Sequence, residues 1–293
     1  MSATFGTVIP AMVTPFTEEG GLDLELAQKV ARHLVDLGSD GLLLSGTTGE
    51  APTTHTQEKV DLIRAVAEAV EGRVPIMAGA GSNHTDHACR IAEKSVEAGA
   101  DSLLVVTPYY SKPSQRGIAA HIRAVADAGG VPVMVYDIPG RTGVAVEREA
   151  EELLEGAGIV AYKDATGNVP AGIARARRTG TEAYSGDDAL NLAFLSYGGA
   201  GFVSVVAHVA ADRYRDMVEA VRCSDMERAA QIHADLEPLV DAIMGTGQGA
   251  VLAKTALHLQ GVLPSASLRL PLVAATSEQV ATLRRAMERL GYL

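Results

Sequence analysis

The sequence predicts an α/β fold, a (β/α)8 TIM barrel with a C-terminal helical appendage. Three observations carry this. Eight short, β-rich apolar runs recur along the first three-quarters of the chain, each followed by a longer segment of helical periodicity. The runs lack clean polar alternation, as expected of strands buried on both faces in a parallel sheet. After about residue 224 the alternation stops and only helical segments remain. Eight βα alternations favour a closed barrel over a doubly wound sheet. The catalytic barrel is therefore expected at residues 1–223, with residues 224–293 a helical region packed on it.

In chain order, strands are expected within "GTVIPAMV" from Gly6, "GLLLSG" from Gly41, "VPIMAGAG" from Val74 and "SLLVVTP" from Ser102. Four more follow in "VPVMVYDIP" from Val131, "GIVAYKD" from Gly158, "EAYSGDD" from Glu182 and "GFVSVV" from Gly201. Segments such as "LELAQKVARHLVDLG" and "THTQEKVDLIRAVAEAV" place apolar residues at i, i+3, i+4 and i+7, which predicts helices between the strands. The appendage holds "DMERAAQIHADLEPLVDAIM", "QGAVLAKTALHLQG" and "SEQVATLRRAMERLG". Two prolines in "GVLPSASLRLPL" predict an extended connector there. A lone G-x-G in "AGAGSN" is too weak to argue for a dinucleotide fold.

Composition narrows the function classes. The 293 residues are 47% hydrophobic, ample for a buried core. A formal net charge of -11 argues against polyanionic partners, so no nucleic-acid role is expected. Cys89 and Cys223 lie far apart without CxxC companions and make neither a disulfide framework nor a zinc site. "MSATFGTVIPAMVTPF" has no basic segment followed by a long apolar one, and no stretch approaches the roughly 20 apolar residues that span a bilayer. The expectation is a cytoplasmic protein without a membrane partner.

In a barrel of this kind, catalytic groups sit at the C-terminal ends of strands and in the loops after them. Those ends read "SGTTGE", "TPYYSKPS", "YDIPGRTG", "YKDATG" and "SGDD". Lys163 alone among the lysines ends a strand-like apolar run. Lys29, Lys59 and Lys94 fall on polar helical faces, Lys112 in a Pro-bounded loop, and Lys254 within an apolar helix of the appendage. Burial disfavours an ammonium and leaves a nucleophilic amine. A structural lysine paired with Asp164 or Asp187 is the other reading, and burial pattern alone leaves both open. Tyr136, ending the neighbouring strand, has a phenol able to relay protons to an amine adduct. Tyr109 and Tyr110 are positioned to extend that relay, although rim tyrosines also serve packing. Thr47 and Thr48, with backbone amides around Gly46 and Gly49, suit a small carboxylate. Arg141 suits bidentate binding of a second carboxylate; a surface pair with Glu147 is the alternative.

Other groups carry less. His84, Asp86 and His87 in "NHTDH" lie close together, but a helix start capped by Asn83 accounts for them and no metal site is expected. His208 in "SVVAHVAA" reads as a hydrogen-bonded core or rim histidine. No HExxH, P-loop or G-x-S-x-G motif is present.

With these residues in place, "GTTGE", "VTPYYSKPSQRG", "YDIPGRTG", "YKDATG" and "YSGDD", in this order, resemble the dihydrodipicolinate synthase / N-acetylneuraminate lyase family of pyruvate-dependent aldolases, and within it the synthase branch. The resemblance covers essentially the whole chain, from "GTVIPAMVTPF" to "RLPLVAAT". It implies that Lys163 forms a Schiff base with C2 of pyruvate and that the derived enamine attacks L-aspartate 4-semialdehyde. The product would be 4-hydroxy-tetrahydrodipicolinate, on the diaminopimelate route to lysine. It further implies that Tyr136 shuttles protons with Thr47 as relay partner, and that Tyr110 is donated across a subunit interface. By the same resemblance Thr48 contacts the pyruvate carboxylate, Arg141 binds the semialdehyde carboxylate, and Val203 and Gly186 border the substrate. The imine itself is the electron sink, so no metal or organic cofactor is implied. The family's habit of pairing dimers implies a homotetramer.

Arg141 separates the synthase reading from sugar-acid lyases and aldolases, which resemble this chain around the lysine but lack that arginine. A catalytically silent barrel is the reading from another class, and Lys163, Tyr136, Thr47 and Tyr110 together argue against it. One departure concerns regulation. Where lysine-inhibited relatives carry histidines after "GTTGE" and a glutamate, this chain has Thr56, Lys59 and His87, while Asn83 and Tyr109 persist. Losing an anion and gaining a cation weakens binding of a cationic effector, so weak or absent inhibition by lysine is expected.

Overall fold

The computed structural model describes residues 3–293. Eight parallel strands alternate with helices in the predicted order: β1 (Val8–Pro10), α1 (Leu24–Asp36), β2 (Leu42–Leu44), α2 (Thr56–Val70), β3 (Ile76–Gly79), α3 (Thr85–Glu97), β4 (Ser102–Val106) and α4 (Gln115–Gly129). The second half adds β5 (Val133–Asp137), the short α5 (Pro139–Thr142) and α6 (Arg148–Leu153), β6 (Ile159–Asp164), α7 (Val169–Thr179), β7 (Glu182–Ser185), α8 (Asn191–Ser196), β8 (Gly201–Ser204) and α9 (Ala207–Arg222). Three further helices follow: α10 (Met226–Val240), α11 (Gly249–Leu259) and α12 (Ser277–Leu290). A π-helical turn, Asp241–Gly245, follows α10.

The strands pair in sequence order from β2 round to β8, and β8 pairs with β1. A parallel bridge between Ala11 and Leu43 links β1 to β2 and completes the (β/α)8 barrel. Side chains alternate across a strand, so every second residue points into the barrel. One from each strand fills the interior: Ile9, Leu43, Met77, Leu104, Met134, Ala161, Tyr184 and Val203, all nearly inaccessible. The layer above, toward the C-terminal strand ends, contains Tyr136 and Lys163.

Outward-facing residues of the strands pack under the amphipathic helices, as the absence of polar alternation implied. The helices start and stop on local chemistry. The side chains of Asp23, Ser114 and Asn168 accept from the first turns of α1, α4 and α7, and Gly130 and Gly180 end α4 and α7 in the left-handed conformation. One cap differs from the expectation: His84, not Asn83, caps α3, its Nδ1 accepting from the His87 N–H at 3.2 Å.

The helices after residue 223 share one apolar core with α9 and with the outward face of β1 and β8. Phe202, Tyr214, Leu236, Leu252 and Met287 meet there. The connector between α11 and α12 contains neither helix nor strand. Among the described residues no helix is long and apolar enough to cross a membrane.

Candidate active site

Tyr136 and Lys163 are register partners on β5 and β6, so their side chains leave adjacent strands on the same, inward side. The Lys163 amine lies 4.0 Å from the centre of the Tyr136 ring. A Cβ on residue 186 would stand 3.0 Å from both Cγ and Cε of Lys163, so Gly186 leaves the room this lysine occupies. Among the described residues no carboxylate pairs with Lys163. Asp164 points to the opposite face and accepts from the Thr166 N–H and hydroxyl, while Asp187 caps its own turn. The structural-pair reading of Lys163 is thereby removed.

Burial pulls the Lys163 amine down to about 7, against the pull of buried Asp188 and with help from the Arg141 cation. Burial pushes the Tyr136 phenol up to about 12, which Arg141 opposes and Asp187 reinforces. Near neutrality the site therefore holds an amine that is substantially unprotonated beside a phenol that keeps its proton.

A cavity of about 490 Å³ reaches the Tyr136 side of this pair, and its lining includes Thr47, Tyr136, Ile138 and Arg141. Arg141 is exposed in α5 and makes no ion pair among the described residues; the alternative pairing with Glu147 is absent. Lys163, Thr48, Val203 and Gly186 do not line the cavity themselves. Thr48 is buried beside Thr47, and Val203 packs in the barrel interior with Tyr136. Tyr110 stands apart, 90% exposed with φ at +77°. Tyr109 lines the cavity.

The lining of the same cavity also includes Thr54, Thr56, Lys59, Asn83 and His87. Lys59 corrects the sequence reading: it is buried, not on a polar face. The turn at Ala51–Thr53 folds beneath α2, and the Lys59 ammonium donates to the carbonyls of Ala51 at 2.8 Å and Thr54 at 2.7 Å and to the Thr54 hydroxyl. Burial lowers it to about 8. His87 meets Thr56 (3.3 Å), and no group of three or more metal-ligating side chains comes together among the described residues.

His208 is a core histidine, as expected: its Nε2 accepts from the Val13 N–H at 3.0 Å, its Nδ1 meets the Val205 carbonyl, and burial lowers it to about 4.

Two groups near the site carry no role in the sequence reading. Asp188 is fully buried and accepts from the Ser204 hydroxyl, the N–H groups of Val205 (2.9 Å) and Val206 (3.2 Å), Asn191 and Tyr214. Burial pushes its carboxyl up against those donors. Its signal was the doubled acid of "SGDD" after a strand. Glu50, at φ +53° two residues after Thr48, pairs with Lys254 at 2.5 Å and accepts from the Arg269 N–H. Both Glu50 partners come from the C-terminal region, more than 200 residues away (204 for Lys254).

The profile of the dihydrodipicolinate synthetase family matches residues 4–290. The chain belongs to this family. It is 47% identical over 293 residues to the 4-hydroxy-tetrahydrodipicolinate synthase of Bifidobacterium longum, covering 100% of this chain and 97% of that protein. Among solved dihydrodipicolinate synthase structures, that from Cyanidioschyzon merolae with lysine bound superimposes with a TM-score of 0.94 at 42% identity, covering 99% of each chain. A monomeric dihydrodipicolinate synthase variant superimposes with a TM-score of 0.93 at 34% identity, covering 99% of this chain and 98% of that one.

Proposed function

We propose that this member of the dihydrodipicolinate synthetase family condenses pyruvate with L-aspartate 4-semialdehyde through an imine at Lys163. The observation that carries the proposal is a buried amine held near neutral pH against the ring of Tyr136, a phenol that lines a cavity whose wall also holds an arginine without an ion pair among the described residues. The neutral Lys163 amine adds to C2 of pyruvate, and loss of water leaves a protonated imine. That cation withdraws electrons from C3, so the methyl group loses a proton and an enamine forms. The enamine carbon attacks the aldehyde, whose oxygen takes a proton. The amino group of the bound semialdehyde then adds to C2 and the Lys163 amine leaves, giving the cyclic product 4-hydroxy-tetrahydrodipicolinate. No metal or organic cofactor is required.

In this reading the neutral Tyr136 phenol supplies and recovers protons at the adduct, with Thr47 beside it at the cavity wall. Arg141 receives the semialdehyde carboxylate by its fork, and Thr48 and the amides around it take the pyruvate carboxylate. Tyr110, fully displayed on the surface, serves a neighbouring subunit in a homotetramer. The monomeric relative makes assembly a matter for direct measurement by sedimentation.

The cationic Lys59 in the cavity wall supports the reading that free lysine is a poor inhibitor, because like charges would share one partly enclosed space. Half-inhibition below millimolar lysine would overturn that reading.

The deciding experiment follows pyruvate consumption with L-aspartate 4-semialdehyde, N-acetylmannosamine or glyceraldehyde as partner. Selective use of the semialdehyde, lost in Arg141→Ala, is the expected outcome. Selective use of a sugar aldehyde would move the chain to the sugar-acid branch. Failure of borohydride to trap pyruvate on Lys163 would leave the barrel catalytically silent.

A further inference from the structure

On the opposite face of the strand ends that carry Tyr136 and Lys163 lies a buried ionic cluster that the proposed reaction does not use. Side chains alternate along a strand, so the residues following Tyr136 and Lys163 point outward. These are Asp137 and Asp164, register partners across β5 and β6 just as Tyr136 and Lys163 are, and both are buried.

Arg175 of α7 covers the pair. Its Nη2 donates to Asp137 Oδ2 at 2.7 Å, and its Nη1 lies 3.7 Å from Asp164 Oδ2. Its Nε lies 3.0 Å from Glu151 Oε1 of α6, and Glu151 also pairs with Arg178. Tyr162 lies under the guanidinium, with its ring centre 5.0 Å away. The cluster also reaches the segment after Arg141. Asp137 Oδ1 accepts from the Val146 N–H at 3.2 Å, and Arg175 Nη2 approaches the Val146 carbonyl at 3.4 Å. One guanidinium thus touches the strand that presents Tyr136, the strand that presents Lys163 and, at Val146, the segment that follows the turn carrying Arg141.

The cluster is poorly built as a source of stability. Three carboxylates face two guanidinium groups, and the Nε and Nη1 approaches are ionic contacts without hydrogen-bond alignment, leaving Asp164 Oδ2 without a hydrogen-bond partner. Buried ion pairs contribute little relative to apolar residues of the same volume; where their retention has been explained, it is by specifying one arrangement over others. Here the elements so specified are the two strands that carry Tyr136 and Lys163 and the segment leading out of the turn that carries Arg141.

We propose that Arg175 is a positioning residue: bridging Asp137, Asp164 and Val146 from outside the barrel, it holds Tyr136, Lys163 and Arg141 in one fixed relation. The chemical consequence rests on the function proposed above; the geometric one does not. Arg175→Lys keeps a cation but offers a point charge where a fork spans two carboxylates. Two readouts on the full-length protein test it. The first is kcat and KM for both substrates, normalised to folded protein. The second needs no substrate: the pH dependence of Lys163 acetylation by acetic anhydride, followed by mass spectrometry. The groups that act on Lys163, namely Tyr136, Asp188 and Arg141, and Asp187 through Tyr136, are unchanged in the variant, so a shift reports geometry.

The expected result is a kcat lower by roughly ten- to hundredfold, the loss that follows when reacting groups move by about an ångström. With it, the acetylation midpoint of Lys163 rises by about one pH unit as water reaches a loosened site. A lower melting temperature with kcat and midpoint unchanged overturns the proposal and leaves Arg175 a structural residue. If Arg175→Lys does not fold, Asp137→Asn, which keeps the shape and the acceptor for Val146, decides on the same readouts. A smaller shift in the same direction supports the proposal, and none overturns it. If the unaltered protein forms no pyruvate adduct, the reaction falls while the acetylation comparison still decides the positioning.

Discussion

Lys163 and Lys254 are both buried lysines seated over aromatic rings, 4.0 Å from Tyr136 in one case and 4.2 Å from Phe16 in the other. Their surroundings differ in one respect that decides their chemistry. Lys254 has a carboxylate at 2.5 Å in Glu50 and a carbonyl at 2.7 Å in Ser267. Lys163 has neither, only a phenol that stays protonated. Burial lowers both, to about 7 for Lys163 and only to about 8 for Lys254, where Glu50 pulls back. A paired ammonium holds the fold together, and an unpaired one is free to become a nucleophile. Lys59, with neutral acceptors alone, lies between them.

The most drastic way to break the comparison is to replace each lysine by methionine. Lys163→Met is expected to lower turnover by more than about 10³-fold by removing the proposed nucleophile. Its melting temperature holds or rises. The sign follows from linkage: between about 7 and the ordinary lysine value of 10.5 only the unfolded chain keeps the proton, so stability falls as pH drops through this window. The gain in Lys163→Met is therefore largest below pH 7 and vanishes above 10.5, which calorimetry at several pH values measures.

Lys254→Met should do the reverse. It strands the Glu50 carboxylate in the interior, a loss of about 3–5 kcal/mol, read as a melting temperature lower by roughly 10 °C. The protein that remains folded still forms the pyruvate adduct. Adding Glu50→Gln should recover part of the loss, because a buried neutral amide costs less than a buried charge. Loss of adduct with unchanged stability would invert the roles assigned to the two lysines.

Lys59→Met is the intermediate case. Leaving two carbonyls without their donor should cost about 1–3 kcal/mol, visible in denaturant unfolding, with kcat unaltered. The smallest effect sharpens the comparison without mutation. kcat/KM for pyruvate should fall on the acid side with a midpoint near 7, by about fivefold from pH 7 to pH 6, as Lys163 takes up its proton. A midpoint above 9 would mean an ordinary, hydrated lysine.

Much of this was legible along the chain. The eight strands are where apolar runs placed them, because burial on both faces writes itself into consecutive residues. That Lys163 and Tyr136 would share one rim was legible for a related reason: a barrel displays its strand ends, so a polar residue closing an apolar run falls at the C-terminal rim, and Arg141 follows in the turn after β5. Local pattern misled at Lys59. The helical periodicity of α2 placed it on the outer face, while the turn Ala51–Thr53 closes over that face and supplies carbonyls. Asn83 looked like the cap of α3 because it precedes the helix, yet the acceptor with the right reach belongs to His84.

What the sequence by itself determined is which residues could react and on which rim they gather, since strand order, alternation and side-chain type are local properties. What only the tertiary structure decided is how each charge is partnered. Glu50 meets Lys254 across 204 residues and Arg175 meets Asp137 across 38. Electrostatic energy depends on distance in space and on exclusion of water, and neither is written in the neighbours along the chain.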